Sequence, residues 1–66
     1  MIYRRIRELR EDHDLTQQQV CDAIGLKQRT YSYYENGQRM IPPEVLLVLA
    51  DFYQVSVDYL LGRSDR

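Results

Sequence analysis

Thr16-Gln17-Gln18-Gln19-Val20-Cys21-Asp22-Ala23-Ile24-Gly25 is the stretch on which the fold turns. The Thr16 hydroxyl can accept from the backbone N–H of the third helical position. Gln19, which stands there, can reach back to the Thr16 N–H, completing a capping box. Leu15 and Val20 are spaced as the hydrophobic staple that fixes the entry of the chain. A helix therefore begins at Gln17, with Val20, Cys21 and Ile24 as its buried stripe, and Gly25 supplies the left-handed residue that ends it after about two and a half turns. A second short helix follows within a few residues, carrying Leu26, Thr30, Tyr31 and Tyr34 inward and stopping at Asn36-Gly37. Two short helices joined by a tight glycine-containing turn form a helix-turn-helix unit.

Working outward, the segment before this unit places Ile2, Ile6 and Leu9 on one helical face and Arg4, Arg5, Arg7, Glu8 and Glu11 on the other, and should end near His13-Asp14. After it, Pro42-Pro43 opens a fourth helix, because proline is tolerated at the first helical position. Val45, Leu46, Leu49, Phe52 and Tyr53 give that helix a broad apolar face, expected to be the main wall of the core. A last short helix starts at Ser56, with Val55 and Leu60 as a second staple, and stops at Gly62. There is no strand pattern, internal repeat or low-complexity stretch. The expected architecture is all-α: a compact five-helix bundle, one domain over residues 1–62, and a short tail at 63–66.

Composition bounds the function. A chain of 66 residues makes one small domain with no room for a separate catalytic one. Its apolar residues lie at helical intervals rather than in a membrane-length run, and its start lacks a signal-peptide pattern, so a soluble cytoplasmic protein is expected. Cys21, the only cysteine, excludes an internal disulfide or a thiol-zinc site and fits a small core residue. His13 stands alone at a helix end, and Asp51 and Asp58 fall on different helices without partner motifs. No catalytic constellation emerges, so no enzyme, cofactor, metal or small-molecule ligand is expected.

The net charge of −1 runs against a nucleic-acid partner, but its distribution does not. Lys27, Arg29 and Arg39 face Glu35 alone between residues 27 and 39, and the first helix adds Arg4, Arg5, Arg7 and Arg10. From Met40 to Gly62 there are Glu44, Asp51 and Asp58 and no cation. A chain with one basic end can meet a phosphate backbone with that face.

The run from Thr16-Gln17-Gln18-Gln19-Val20 through Gly25, then Thr30-Tyr31-Ser32 and Tyr34-Glu35-Asn36-Gly37, resembles the phage repressor and Cro family of helix-turn-helix proteins, also called the xenobiotic-response-element family. Ile6-Arg7-Glu8-Leu9-Arg10 in front and Val55-Ser56-Val57-Asp58-Tyr59-Leu60-Leu61-Gly62 behind extend the likeness over nearly the whole chain. It implies a lambda-repressor-like DNA-binding domain and a transcriptional regulator, most naturally a repressor. It makes residues 27–36 the recognition helix, with Gln28, Arg29, Ser32 and Tyr33 toward the bases of the major groove. Gln17, Lys27, Asn36, Gln38 and Arg39 would contact phosphates, and an Arg10–Glu35 ion pair would brace the first helix against the recognition helix. Three residues depart from the family's habits. Lys27 stands in place of a capping serine or threonine, Cys21 in place of alanine, and Tyr33 in place of a charged or amide residue.

The chemistry suits these roles: an amide pairs with adenine and a guanidinium with guanine, and Gln28 and Arg29 offer both side by side. Outside this motif they would be ordinary solvated residues. Tyr33 has two readings, a contact to thymine or phosphate and an exposed tyrosine at a protein interface. Arg39 is a phosphate contact or a free surface arginine. Family regulators bind near-palindromic double-stranded operators as homodimers. Val57, Tyr59, Leu60 and Leu61 are the candidate dimer surface, or else they close the monomer's core. The competing function is a protein-interaction module on the same fold that does not read DNA.

Overall fold

A computed structural model describes residues 3–63. Among them are five helices and no strand: α1 Arg4–Asp12, α2 Gln17–Ile24, α3 Gln28–Glu35, α4 Pro43–Tyr53 and α5 Val57–Leu60. The expected all-helical bundle and its helix-turn-helix are present. Ile2, placed on the apolar face of the first helix, and the tail beyond Arg63 lie outside the described residues.

The helix boundaries follow from local chemistry. Both halves of the α2 capping box form, with the Thr16 N–H donating to Gln19 Oε1 at 2.8 Å and the Gln19 N–H donating to Thr16 Oγ1 at 3.1 Å. Gly25, at φ +77°, ends the helix in the left-handed conformation. The Leu26 N–H then returns to the Cys21 carbonyl, satisfying an end that would otherwise be orphaned. Ser56 caps α5 by accepting from the Tyr59 N–H at 3.0 Å, and Pro43 occupies the first turn of α4. Lys27 stands at the N-cap of α3 in extended backbone and makes no side-chain cap. Gln54 closes α4 at φ +58°, an unusual position for a non-glycine residue, and its Nε2 donates to the Asp51 carbonyl at 2.7 Å.

The core lies where α1, α3 and α4 converge on α2 and α5. Ile6, Val20, Cys21, Tyr31, Leu49 and Leu60 are completely or almost completely buried. Tyr3 and Ile41 join them, and the Tyr3 hydroxyl accepts from the Ile41 N–H at 3.3 Å, pinning the α3–α4 loop to the entrance of α1. Each large apolar side chain taken from water contributes about 1.5–3 kcal/mol.

One expectation needs correction. Phe52 is not part of the core wall: it is 38% exposed and packs edge-on against Tyr53, while Ala50 faces inward beside Leu49. The Ala50 methyl takes the buried position, and the aromatic ring of Phe52 is left at the margin. Of the α5 residues, Leu60 is buried, and Val57, Tyr59 and Leu61 pack half-buried against the core; the large apolar side chains that are more exposed are Met40, Leu47 at 60%, Val48 and Phe52.

Candidate nucleic-acid interface

The site is built from a buried charge outward. Glu35, the last residue of α3, has a side chain only 2% exposed. Its Oε2 accepts from Arg10 Nε at 2.7 Å and its Oε1 from Arg10 Nη2 at 3.1 Å, a two-pronged pair that joins α1 to α3. The remaining reach of Arg10 is spent on the Leu15 carbonyl, to which Nη1 donates at 2.8 Å. Gln17 Nε2, from the first residue of α2, donates to Glu35 Oε1 at 3.2 Å. One carboxylate thus fastens the end of α3 to both preceding helices.

Burial alone pushes the Glu35 carboxyl up, but the Arg10 hydrogen bonds, the Tyr31 hydroxyl, the Gln17 amide and the Arg10 charge outweigh it. The group is held below the ordinary carboxylate value, and Arg10 is raised in return by its bond to Glu35. Desolvation, followed by the neighbouring Glu35 charge, pushes Tyr53 up to about 12 and Tyr31 further still. The Tyr31 hydroxyl acts on Glu35 from nearby without reaching hydrogen-bonding geometry, and the Tyr53 hydroxyl likewise has no partner at that geometry. Both phenols stay protonated, and Glu35 and Arg10 stay charged.

Beside this anchorage, α3 carries a cluster of polar side chains at the surface. Gln28, Arg29, Ser32 and Tyr33 come together with Gln17 around one shallow surface depression of about 340 Å³. Arg29 Nε donates to Tyr33 Oη at 3.1 Å, across one helical turn. The Arg39 guanidinium, from the loop after α3, lies 4.6 Å from the Tyr33 ring centroid in a cation–π contact. Asn36 Nδ2 reaches Ser32 Oγ at 3.4 Å, while Lys27 and Gln38 are exposed at the two ends of the helix. All four proposed base readers are adjacent in space. The proposed phosphate contacts Lys27, Asn36, Gln38 and Arg39 border them, and Gln17 stands between the depression and Glu35.

Residues outside this face have structural occupations. His13 Nδ1 lies 2.9 Å from the Leu9 carbonyl, and its ring packs 5.3 Å from that of Tyr53. The Cys21 thiol is buried and pushed up by desolvation, away from the thiolate form that reactivity requires. Among the described residues no group of three or more histidine, cysteine, aspartate or glutamate side chains could hold a metal ion.

Three features escaped the sequence reading. The side chain of Gln17 bonds Glu35, which no local pattern announces. The Arg29–Tyr33 contact had a signal, the spacing of four residues that brings helical side chains together. The stacking of Arg39 on the same ring had none.

The model of the family described as helix-turn-helix matches residues 6–60 of this chain. The chain belongs to the Cro/C1-type helix-turn-helix family. Relatives of this family include the uncharacterized HTH-type transcriptional regulator YobD of Bacillus subtilis (strain 168), 42% identical over 98% of this chain and 58% of its own length. The cryptic phage CTXphi transcriptional repressor RstR of Vibrio cholerae is 37% identical over 98% of this chain and 59% of its own. Antitoxin PezA of Streptococcus pneumoniae is 32% identical over 97% of this chain and 40% of its own. The chain thus spans somewhat over half the length of YobD and RstR and less of PezA.

Proposed function

We propose that this chain is a DNA-binding transcriptional regulator whose α3 reads the major groove, with Gln28, Arg29 and Ser32 toward base edges and Lys27, Asn36, Gln38 and Arg39 along the phosphates. The observation that carries the reading is that Gln28, Arg29, Ser32 and Tyr33 line one surface depression together, on a helix whose other end is locked to α1 and α2 through Glu35. A rigid helix with amide and guanidinium groups on its open face has the chemistry that adenine and guanine edges require. Repression is the direction favoured, since RstR is named a repressor. Gln17 acts chiefly as a brace, because its amide is already engaged by Glu35.

Two copies on a near-palindromic operator would set their recognition helices about 34–36 Å apart, and pairing compensates for the few base contacts one small domain can make. The α4 residues Leu47 and Val48, with Met40, are the most exposed apolar side chains available for that pairing, ahead of the half-buried Val57, Tyr59 and Leu61 of α5. Among the described residues no helix is long and apolar enough to cross a membrane, and the bacterial relatives favour a site of action at the chromosome in the cytoplasm. No step of catalysis is assigned to any residue.

The same exposed α4 residues favour a second reading, a protein-interaction module that has ceased to bind DNA. Selection from a random duplex pool, with titration of the winner at two salt concentrations, separates the two. Enrichment of a two-fold sequence whose affinity falls steeply with salt supports the regulator. Absence of enrichment together with no salt-dependent binding supports the interaction module.

A further inference from the structure

We propose that Tyr33 is a positioning residue: it reads no base itself, but holds Arg29 for base recognition and Arg39 for phosphate contact, coupling the two. The inference rests on the reading of α3 as the DNA-facing helix and assigns Tyr33 a role different from direct base contact.

Three observations converge on the ring. Its hydroxyl accepts from Arg29 Nε at 3.1 Å, its face receives the Arg39 guanidinium at 4.6 Å, and it is itself half-buried whereas both arginines are exposed. A long arginine side chain on a helix surface samples many rotamers, and ordering it on binding costs about 0.5–1.5 kcal/mol. A partner that orders it beforehand removes part of that cost. The donor used matters as well. Engaging Nε leaves the Nη1 and Nη2 hydrogens of Arg29 free, enough donors for the O6 and N7 acceptors of guanine.

Arg39 is held in a different way. Stacking occupies the face of its guanidinium and leaves the N–H groups around its edge to meet phosphate oxygens. It belongs to the loop after Gly37 and is exposed, so without the ring its side chain would be free to sample many rotamers. Tyr33 thus joins a side chain of α3 to a side chain of the following loop. A phosphate grip by Arg39 fixes the ring, and the ring fixes the angle at which Arg29 enters the groove. The Tyr33 hydroxyl keeps its own proton for a nearby acceptor.

The two bonds can be cut separately. Tyr33→Phe keeps the stacked face and loses the hydroxyl, whereas Tyr33→Leu loses both. In the free protein, the Arg29 Nε–H should exchange slowly and the Arg39 side-chain resonances should carry a ring-current shift. Tyr33→Phe should abolish only the first and Tyr33→Leu both. On DNA, Tyr33→Phe should reduce discrimination by about two- to tenfold, the worth of one hydrogen bond, at the same base pair that Arg29→Ala affects. Its salt slope should be unchanged. Tyr33→Leu should add a loss on every duplex and a shallower slope.

Loss of discrimination at a different base pair would overturn the proposal by making Tyr33 a reader in its own right. Full discrimination in Tyr33→Phe, with Arg29→Ala impaired, would overturn it while leaving α3 as the reading helix. Absence of sequence preference in the wild-type protein would remove the reading on which it stands, whatever the resonances show.

Discussion

Helices α1 to α3 meet around a buried ion pair, whereas the side chains that α4 and α5 bury, Leu49, Ala50, Tyr53 and Leu60, carry no charge. The first arrangement is directional: Glu35 accepts from Arg10 and Gln17 only if three helix ends stand at the right distances. The second is tolerant, since apolar contacts constrain volume more than angle. The half that carries the cluster around Arg29 is the half held by directional bonds. The half that supports it is held by packing, and it leaves Leu47 and Val48 outside.

The largest break in this comparison is expected from Glu35→Ala, which strands the guanidinium of Arg10, itself only 14% exposed. Loss of one member of a buried pair costs about 3–5 kcal/mol, measured by chemical denaturation. A loss below about 1 kcal/mol would show that water replaces the carboxylate and that the clamp is dispensable. The same group predicts a pH dependence. Its carboxyl is held below the ordinary value near 4.5, so its contribution is complete above that value and is lost as pH falls through it toward the folded-state value. Wild-type stability should therefore drop more than that of Glu35→Gln between about pH 7 and pH 3. Parallel curves would assign the acid sensitivity to other carboxylates.

Leu49→Ala attacks the apolar half and should cost about 2–5 kcal/mol by leaving a cavity at a fully buried site. The contrast sharpens if its remaining folded fraction still discriminates between DNA sequences while that of Glu35→Ala does not. Arg29→Ala, on the surface of the directional half, should leave stability unchanged and cost about 1–3 kcal/mol on cognate DNA alone. An equal loss on random duplexes would make Arg29 a phosphate contact. The smallest effect belongs to Arg7→Ala, which removes the exposed pair that Arg7 Nε makes with Glu11 at 3.5 Å. Such pairs contribute at most about 0.5 kcal/mol, so a larger shift in Tm would mean that exposure is a poor guide to worth in this molecule.

What could be foreseen divides along similar lines. The Thr16–Gln19 box, the Ser56 cap and the stops at Gly25 and Gly62 were legible because each is settled within a few residues of chain. The inward face of α4 was not, since Val45 to Ala50 is an unbroken apolar run and periodicity cannot choose between Ala50 and Phe52. Packing in the folded chain makes the choice, burying Ala50 and leaving Phe52 at the surface. Tyr3 reaching Ile41, across 38 residues, is likewise invisible to any local pattern. In the site, Arg10 and Glu35 were legible only through a family likeness, and the outward residues of α3 through their chemistry. Gln17 as a brace and Arg39 as a stacked cation depend on distances that only the folded chain sets.

The attachment of Glu35 to α1 and α2 also bears on how such proteins can diversify. A reading helix transplanted alone into a relative would arrive with a carboxylate whose counterparts, Arg10 and Gln17, stayed behind in the donor. The smallest segment that can be exchanged intact runs from α1 through α3. Gln28, Arg29 and Ser32 take no part in those bonds, so a change at any of them alters the surface of the helix while the socket stays fixed.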